Sequence, residues 1–401
     1  MKQNRYKTKR SPKGFIISRG EDMNYILKHF DINIIKFKFI STLRAGTQLE
    51  IVEIYEKNKT FFPLNLDLEN SAILSWIKSR TIPKNREFVY KILLELNLSF
   101  DDIEGIVNIS KSLSLNDCYW IVQEDFQGNF SDYNLYDNDF NKTLSLLAYT
   151  GYGSVKQQGF ISSPEFTTNG ILAKAWRKNP QKREGIFLYK SGSKGCANCG
   201  KEPYSEFYAY QIAQKMGLDI TPYSLGKWKG EVNSICELFS SKAYSFVPIY
   251  RLVTEGSWDA VLAYYQELGD EFYEALVDMI IFDVIIVNTD RHFGNFGLLV
   301  DNKTNKIVKP APIFDNGLSL FYDAMDDDLE RVDEFAQTKS MKNAGDFMTF
   351  ATSIVTNREK KRVRKLINFE FEKHSTYNIS AKRLKTIEAF IQRRVKRLLE
   401  L

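Results

Sequence analysis

The chain has 401 residues, of which 43% are hydrophobic and 14% aromatic, with a net charge of +5 and a mean hydropathy of −0.33. That is ample apolar material for two or three domain cores. No segment has the length of a membrane span, no signal-peptide core follows the basic amino terminus, and neither a repeat nor a low-complexity tract occurs, so a cytoplasmic globular protein is expected.

The first 150 residues read as an accessory domain. Lys2, Arg5, Lys7, Lys9, Arg10, Lys13 and Arg19 all precede the first acid, Glu21. A basic arm over residues 2–19 could touch nucleic acid or an acidic partner, or serve as a solubilising tail. Residues 34–55 alternate apolar and polar in two runs around Arg44-Ala45-Gly46, which predicts a small β-hairpin. Residues 71–98 predict two helices broken at Pro83, and residues 103–109 a further one. Residues 112–121 lead into an apolar strand, and Trp76, Tyr119 and Trp120 are expected in the core. After a helical stretch at 144–147, Gly151-Tyr152-Gly153-Ser154 marks a boundary.

Beyond it, residues 166–174 (FTTNGILAK) form a loop around the turn signal Asn169-Gly170. Residues 185–190 (GIFLYK) alternate and predict a central strand presenting Lys190 at one face. Cys196 and Cys199 follow in a Gly/Ser/Lys loop. One C-x-x-C supplies two zinc ligands where a structural site needs four, so these read as inert loop thiols, with shared zinc or redox chemistry as alternatives. Cys118 and Cys236 read as reduced core residues. From Glu202, a helical pattern places Phe207, Tyr210, Ile212, Ala213 and Met216 on one face, with Gly217 as its C-cap. Residues 234–239 (SICELF) are a short apolar strand.

The densest signal lies further on. Residues 276–287 (LVDMIIFDVIIV) are an apolar run of helix length, interrupted by Asp278 and Asp283. Asp290-Arg291-His292-Phe293-Gly294-Asn295 follows at once. Phe296 to Val300, a polar turn and Ile307-Val308 predict a hairpin. Twenty residues after Asn295 comes Phe314-Asp315-Asn316-Gly317. Phosphoryl transfer needs this set. One Asp accepts the proton of the attacking hydroxyl, while an Asn five residues on and an Asp on a following turn hold the magnesium ions that bridge the ATP phosphates. Asp290 would be the base and Asn295 and Asp315 the metal ligands. His292 would brace the loop, because Asp290 already supplies a base. Residues 323–334 are strongly acidic, either a substrate-attracting segment or a solvated helix start. The final helix carries Leu384, Ile387, Ile391, Val395 and Leu398 as a core stripe with a basic flank.

The D-R-H-x-x-N and A-P-I-F-D-N-G strings and the preceding apolar helix resemble the HipA-like serine/threonine kinases, over about residues 160–401. D-R-H-x-x-N also resembles the catalytic loop of phosphoinositide kinases, which keeps a lipid or small-molecule substrate open. A third alternative is a catalytically silent, kinase-fold binding protein. The HipA-like resemblance implies an α+β, two-lobed protein-kinase-like fold, with residues 151–240 as the kinase N-lobe and 241–401 as a mainly helical C-lobe. It implies ATP and Mg2+ as cofactors, a protein substrate phosphorylated on Ser or Thr, and an antitoxin partner if the chain is a toxin. It gives Lys190 the role of ATP lysine and places Glu206 like the glutamate that pairs with it, with Glu202 as competitor and attraction to the helix dipole as the alternative for Glu206. It puts the adenine hinge near Glu237 and Phe239, and the phosphate-covering loop at Thr167, Thr168 and Gly170. Either threonine then becomes a candidate for autophosphorylation.

Overall fold

A computed structural model describes residues 23–42, 46–155, 159–178 and 185–401. The basic arm and the Arg44-Ala45 turn lie outside the described residues. The expected amino-terminal hairpin is present as β2 (Ile32–Thr42) and β3 (Gly46–Ile54), but it belongs to a larger sheet. β1 (Asn24–His29) and β4 (Tyr119–Gln123) complete an antiparallel sheet of order β3-β2-β1-β4. β1 carries three consecutive buried residues, Tyr25, Ile26 and Leu27, so its sequence lacks the alternation that announces a half-buried strand. Five short helices accompany this sheet: α1 (Asn70–Lys78), α2 (Val89–Glu95), α3 (Ile103–Ser110), α4 (Phe130–Tyr133) and α5 (Lys142–Thr150). α5 stops at Gly151, whose φ of 73° is the left-handed cap that glycine adopts without strain.

A second antiparallel sheet has the order β5-β6-β8-β7, from β5 (Lys174–Lys178), β6 (Ile186–Ser191), β7 (Tyr223–Trp228) and β8 (Glu231–Glu237). Helix α6 (Glu202–Met216) links β6 to β7 and ends at Gly217, as its sequence predicts. A third sheet joins β9 (Tyr244–Pro248) to the hairpin β10 (Gly297–Asp301) and β11 (Lys306–Pro310). The remainder is helical: α7 (Trp258–Leu268), α8 (Asp270–Ile286), α9 (Asp326–Glu330), α10 (Val332–Gln337), α11 (Phe347–Ile354), α12 (Asn357–Val363) and α13 (Ala381–Glu400). The fold is thus mixed, with antiparallel sheets and helices. Among the described residues no helix is long and apolar enough to cross a membrane.

Side chains from both sides of Gly151 share cores. One cluster runs from Ile82, Val89 and Leu144 to Val155, Ile161 and Phe166. Another joins Trp120 and Phe130 to Ile186 of the second sheet. The largest cluster surrounds α8, whose residues from Leu276 to Ile286 are all buried. An all-apolar helix surface fits only a fully enclosed helix. Each enclosed Ile or Phe contributes about 1.5–3 kcal/mol of transfer free energy, enough in sum to offset desolvation of Asp283 in its midst. α13 lays Leu384, Ile387, Ile391, Val395 and Leu398 into the same core, the expected stripe.

Candidate active site

α8 ends at Val287, whose φ of 54° turns the chain sharply into the loop. Asn288 secures that turn: its amide donates to Asp283 Oδ1 at 2.9 Å, and its oxygen accepts the Asp290 N–H at 3.1 Å. Asp290 therefore hangs from a rigid support. Burial pushes its carboxyl above the usual range, opposed by nearby His292. His292 is hydrogen-bonded within the loop. Its N–H donates to Asp290 O at 2.7 Å, and its Nδ1 accepts the Gly294 N–H at 3.0 Å. Asn295 is buried and donates from its amide to Asp290 O at 3.1 Å.

Asp315 sits beyond the β10–β11 hairpin with a φ of 55°, a left-handed conformation uncommon for non-glycine residues and held here by its surroundings. Its N–H donates to the Tyr223 hydroxyl at 3.1 Å. Lys190 reaches it from the centre of the second sheet and makes a close ion pair with Asp315. Lys190 Nζ also lies 3.0 Å from Glu206 Oε1. Glu206 is fully enclosed, and its second oxygen accepts the Asn316 N–H at 2.8 Å. Glu202, the competitor, instead accepts the Ser193 N–H at 3.2 Å. Burial pulls Lys190 down, but the Asp315 and Glu206 carboxylates outweigh it and hold the amine above its ordinary value. Burial raises Asp315 in turn, and Lys190 and Lys174 outweigh that, so its carboxyl stays well below the usual range.

A second cation lies beside the first, and its position in the sheet was not read from the sequence. Lys174 and Lys190 are direct cross-strand partners on β5 and β6, so their side chains share one face. Lys174 Nζ donates to Asn169 O at 2.8 Å. Burial and the neighbouring Lys190 charge push its amine down to about 7. Gly170 has a φ of 94°, a conformation glycine adopts without strain, and a Cβ there would crowd only the end of the Lys174 side chain.

The loop threonines are tied to backbone. Thr167 is buried and its hydroxyl donates to Leu113 O at 3.0 Å; the half-buried Thr168 hydroxyl donates to Pro164 O at 2.7 Å. Thr168, Gly170, Lys174, Lys190, Glu237, Phe239, Asp290, Asn295 and Asp315 all line one cleft of about 1110 Å³. Phe239 packs its ring 5.2 Å from Phe314 at the end of β8. Cys196 and Cys199, expected as free thiols, are instead joined as a disulfide on the cleft rim; their Cα atoms are 5.2 Å apart, within bridging range. Cys118 and Cys236 are free. Among the described residues no group of three His, Cys, Asp or Glu side chains could hold a metal by itself.

Arg291 is the residue that motif reading passed over. It is completely enclosed. Its guanidinium pairs with Asp283 on α8 and donates to Asn295 O at 2.9 Å, Phe314 O at 2.6 Å and Asn316 Oδ1 at 2.6 Å. One side chain thereby joins the helix, the loop of Asp290 and the turn of Asp315. The only sequence signal was the charge of Asp283 inside an apolar run.

Residues 167–375, half of the chain and all of this site, match the HipA-like C-terminal domain. The chain belongs to that family. Over 137 residues the chain is 30% identical to the serine/threonine-protein kinase CtkA of Helicobacter pylori, 31% of this chain and 42% of that protein, so the chain spans about two-fifths of that relative's length. The crystal structure of the H. pylori proinflammatory kinase CtkA superposes with a TM-score of 0.44 at 19% identity, covering 57% of this chain and 93% of that one. Shewanella oneidensis HipA, solved with HipB and operator DNA, superposes with a TM-score of 0.58 at 10% identity, covering 94% of this chain and 99% of that one. The HipA-like fold therefore extends over nearly the whole chain, including the part before residue 167.

Proposed function

We propose that this HipA-like protein is a two-lobed, ATP- and magnesium-dependent kinase that phosphorylates Ser or Thr of a cytoplasmic protein, as the toxin of a toxin–antitoxin pair. The observation that carries the reading is the convergence of Lys190, Asp315, Asn295 and Asp290 in one cleft, with the enclosed Glu206 holding Lys190. In this reading an accessory part runs to residue 150, an N-lobe over 151–240 and a C-lobe over 241–401.

The donor set fits the cofactors. Asp315 offers a carboxylate, and Asn295, with its amide nitrogen committed to Asp290 O, offers its oxygen; magnesium prefers such hard oxygens and completes its shell with water and phosphate. When bound, Mg-ATP supplies the transferable phosphoryl group and neutralises its developing charge. The chain's own residues do the rest. Lys190, held by Glu206, would meet the α/β-phosphates. Lys174 adds a second cation on the same face. Glu237 and Phe239 bound the adenine end. Asp290, its basicity raised by burial, orients the acceptor hydroxyl and takes its proton.

An antitoxin partner is supported by fold likeness to a HipA solved with HipB. Phosphoproteomics after brief expression of wild type and Asp290→Ala tests the reading. Ser or Thr phosphosites appearing only with wild type support it. Label on lipid or small molecules alone moves the substrate class, and no transfer from ATP to any acceptor overturns it.

A further inference from the structure

Two adjacent residues of the accessory part, Arg86 and Glu87, grip the loop between Glu165 and Lys174 along its length. Arg86 is buried. Its Nη1 donates to Glu165 O at 2.5 Å and reaches Thr168 O at 3.5 Å, and its Nη2 donates to Lys174 O at 3.1 Å. The same guanidinium makes a close ion pair with the Glu165 carboxylate, and both side chains are fully enclosed. The other Glu165 oxygen accepts the Trp176 N–H at 3.0 Å. Glu87 holds the far side. Its carboxylate accepts the Ala173 N–H at 3.1 Å, and its own N–H donates to Ile171 O at 2.9 Å. Five backbone groups of the loop thus depend on two consecutive residues some eighty positions earlier in the chain.

The chemistry of a polyphosphate explains why such a grip matters. A carbonyl oxygen facing a phosphate repels it, whereas N–H groups and cations attract it. Arg86 draws three loop carbonyls to itself, and among the described residues neither it nor Glu87 lines the cleft. Thr168, Asn169, Gly170 and Lys174 do line it. The grip therefore fixes which face of the loop the cleft sees, and it fixes the start of β5, where Lys174 stands opposite Lys190.

We propose that Arg86 and Glu87 are positioning residues that mould the phosphate-covering loop, so that affinity for the phosphates of ATP is set from the accessory part of the chain. The inference rests on the kinase reading above.

Calorimetry of the full-length protein with Mg-ATP and with adenosine tests it. Adenosine occupies the base slot but has no phosphates for the loop to cover. Glu87→Ala, at a half-buried position, should raise the Kd for Mg-ATP at least about tenfold, leave adenosine affinity and the melting temperature near wild type, and raise KM for ATP more than it lowers kcat. Arg86→Lys keeps the charge but cannot fork to three carbonyls; it should show the same pattern more strongly. Wild-type Mg-ATP affinity in Glu87→Ala, or equal losses for ATP and adenosine, overturns the proposal while leaving the kinase reading intact. A wild-type protein that binds neither ligand overturns both.

Discussion

The guanidinium of Arg291 meets both carboxylate oxygens of Asp283, at 2.8 and 3.0 Å, and neither side chain is reached by solvent. Taking two charges out of water is costly, and such a pair is retained where its geometry does something an apolar pair cannot. Here the remaining donors of Arg291 hold Asn295 and the residues on either side of Asp315 at fixed distances.

Truncating Arg291 should therefore be costly twice. Arg291→Ala leaves Asp283 enclosed and unpaired and should reduce stability by about 3–5 kcal/mol, measured by urea unfolding. Arg291→Lys keeps the charge but reaches fewer partners. It should fold and yet lose most of kcat in a phosphate-transfer assay; unchanged kcat would remove Arg291 from the positioning role.

Asp290 and Asp315 should separate by binding. Asp290→Asn should abolish turnover and leave Mg-ATP affinity largely intact. Asp315→Asn should weaken Mg-ATP binding as well, since it removes the carboxylate that would hold the metal. Calorimetry beside a radiolabelled assay distinguishes them, and full activity in Asp290→Asn would sink the assignment of the base.

Lys190→Ala should lower kcat/KM by roughly two to three decades. A cation meeting charge in a dry site contributes ~2–4 kcal/mol, at ~1.4 kcal/mol per decade. Unchanged ATP kinetics would transfer the role to Lys174; Lys194 is occupied at the surface by Glu231, 3.0 Å away.

Lys174 sets a pH dependence. Its amine is pushed down to about 7 by burial and by Lys190, and phosphate binding favours the charged form. Mg-ATP affinity should thus fall as pH rises above about 7. Stability runs the other way. The unfolded chain keeps this proton up to its ordinary pKa near ~10.4, so between about 7 and that value the folded state binds fewer protons and stability rises with pH. Lys174→Met should accordingly raise the melting temperature most at or below pH 7 while weakening ATP binding. A pH-independent Kd between pH 6 and 9 would contradict the charge assignment.

If the loop is modified by the protein itself, Thr168 is the site to expect. Its hydroxyl is half-buried, whereas Thr167 is enclosed and bonded to Leu113 O. A phosphate there carries about −1.5 to −2 charge and would compete with ATP for Lys174 and Lys190. Mass spectrometry of wild type and Asp290→Ala after incubation with Mg-ATP decides it. Phosphate on Thr167 instead would require the loop to leave its place.

The loop of Asp290 and Asn295, the hairpin after it, the Lys190 strand and the helix of Glu206 were legible because each rests on local pattern: an apolar run, a polar turn, an alternation, a glycine cap. What was not legible depends on distant pairing. Nothing near Lys174 announces that it faces Lys190, since the register of β5 against β6 is set by the sheet. Nothing around Arg86 and Glu87 announces their role, because their partners lie some eighty residues on. β1 escaped because a strand buried on both faces looks like any short apolar run. The disulfide was missed because spacing alone shows that Cys196 and Cys199 can meet, and their joining belongs to the folded rim.

The turn of the β10–β11 hairpin adds a matter of timing. Asn305 donates from its side chain to Thr60 O at 2.8 Å and Phe62 O at 2.7 Å, partners 245 and 243 residues away. During synthesis at about 5–20 residues per second, the carbonyls of Thr60 and Phe62 leave the ribosome roughly 10–50 s before Asn305 does. The first-made sheet and the turn after it can settle in that interval, before the hairpin that docks on Thr60 and Phe62 is made. Asp290 and Asp315 stand on either side of that hairpin, so the nascent chain would bring them together only after the first sheet has had time to form.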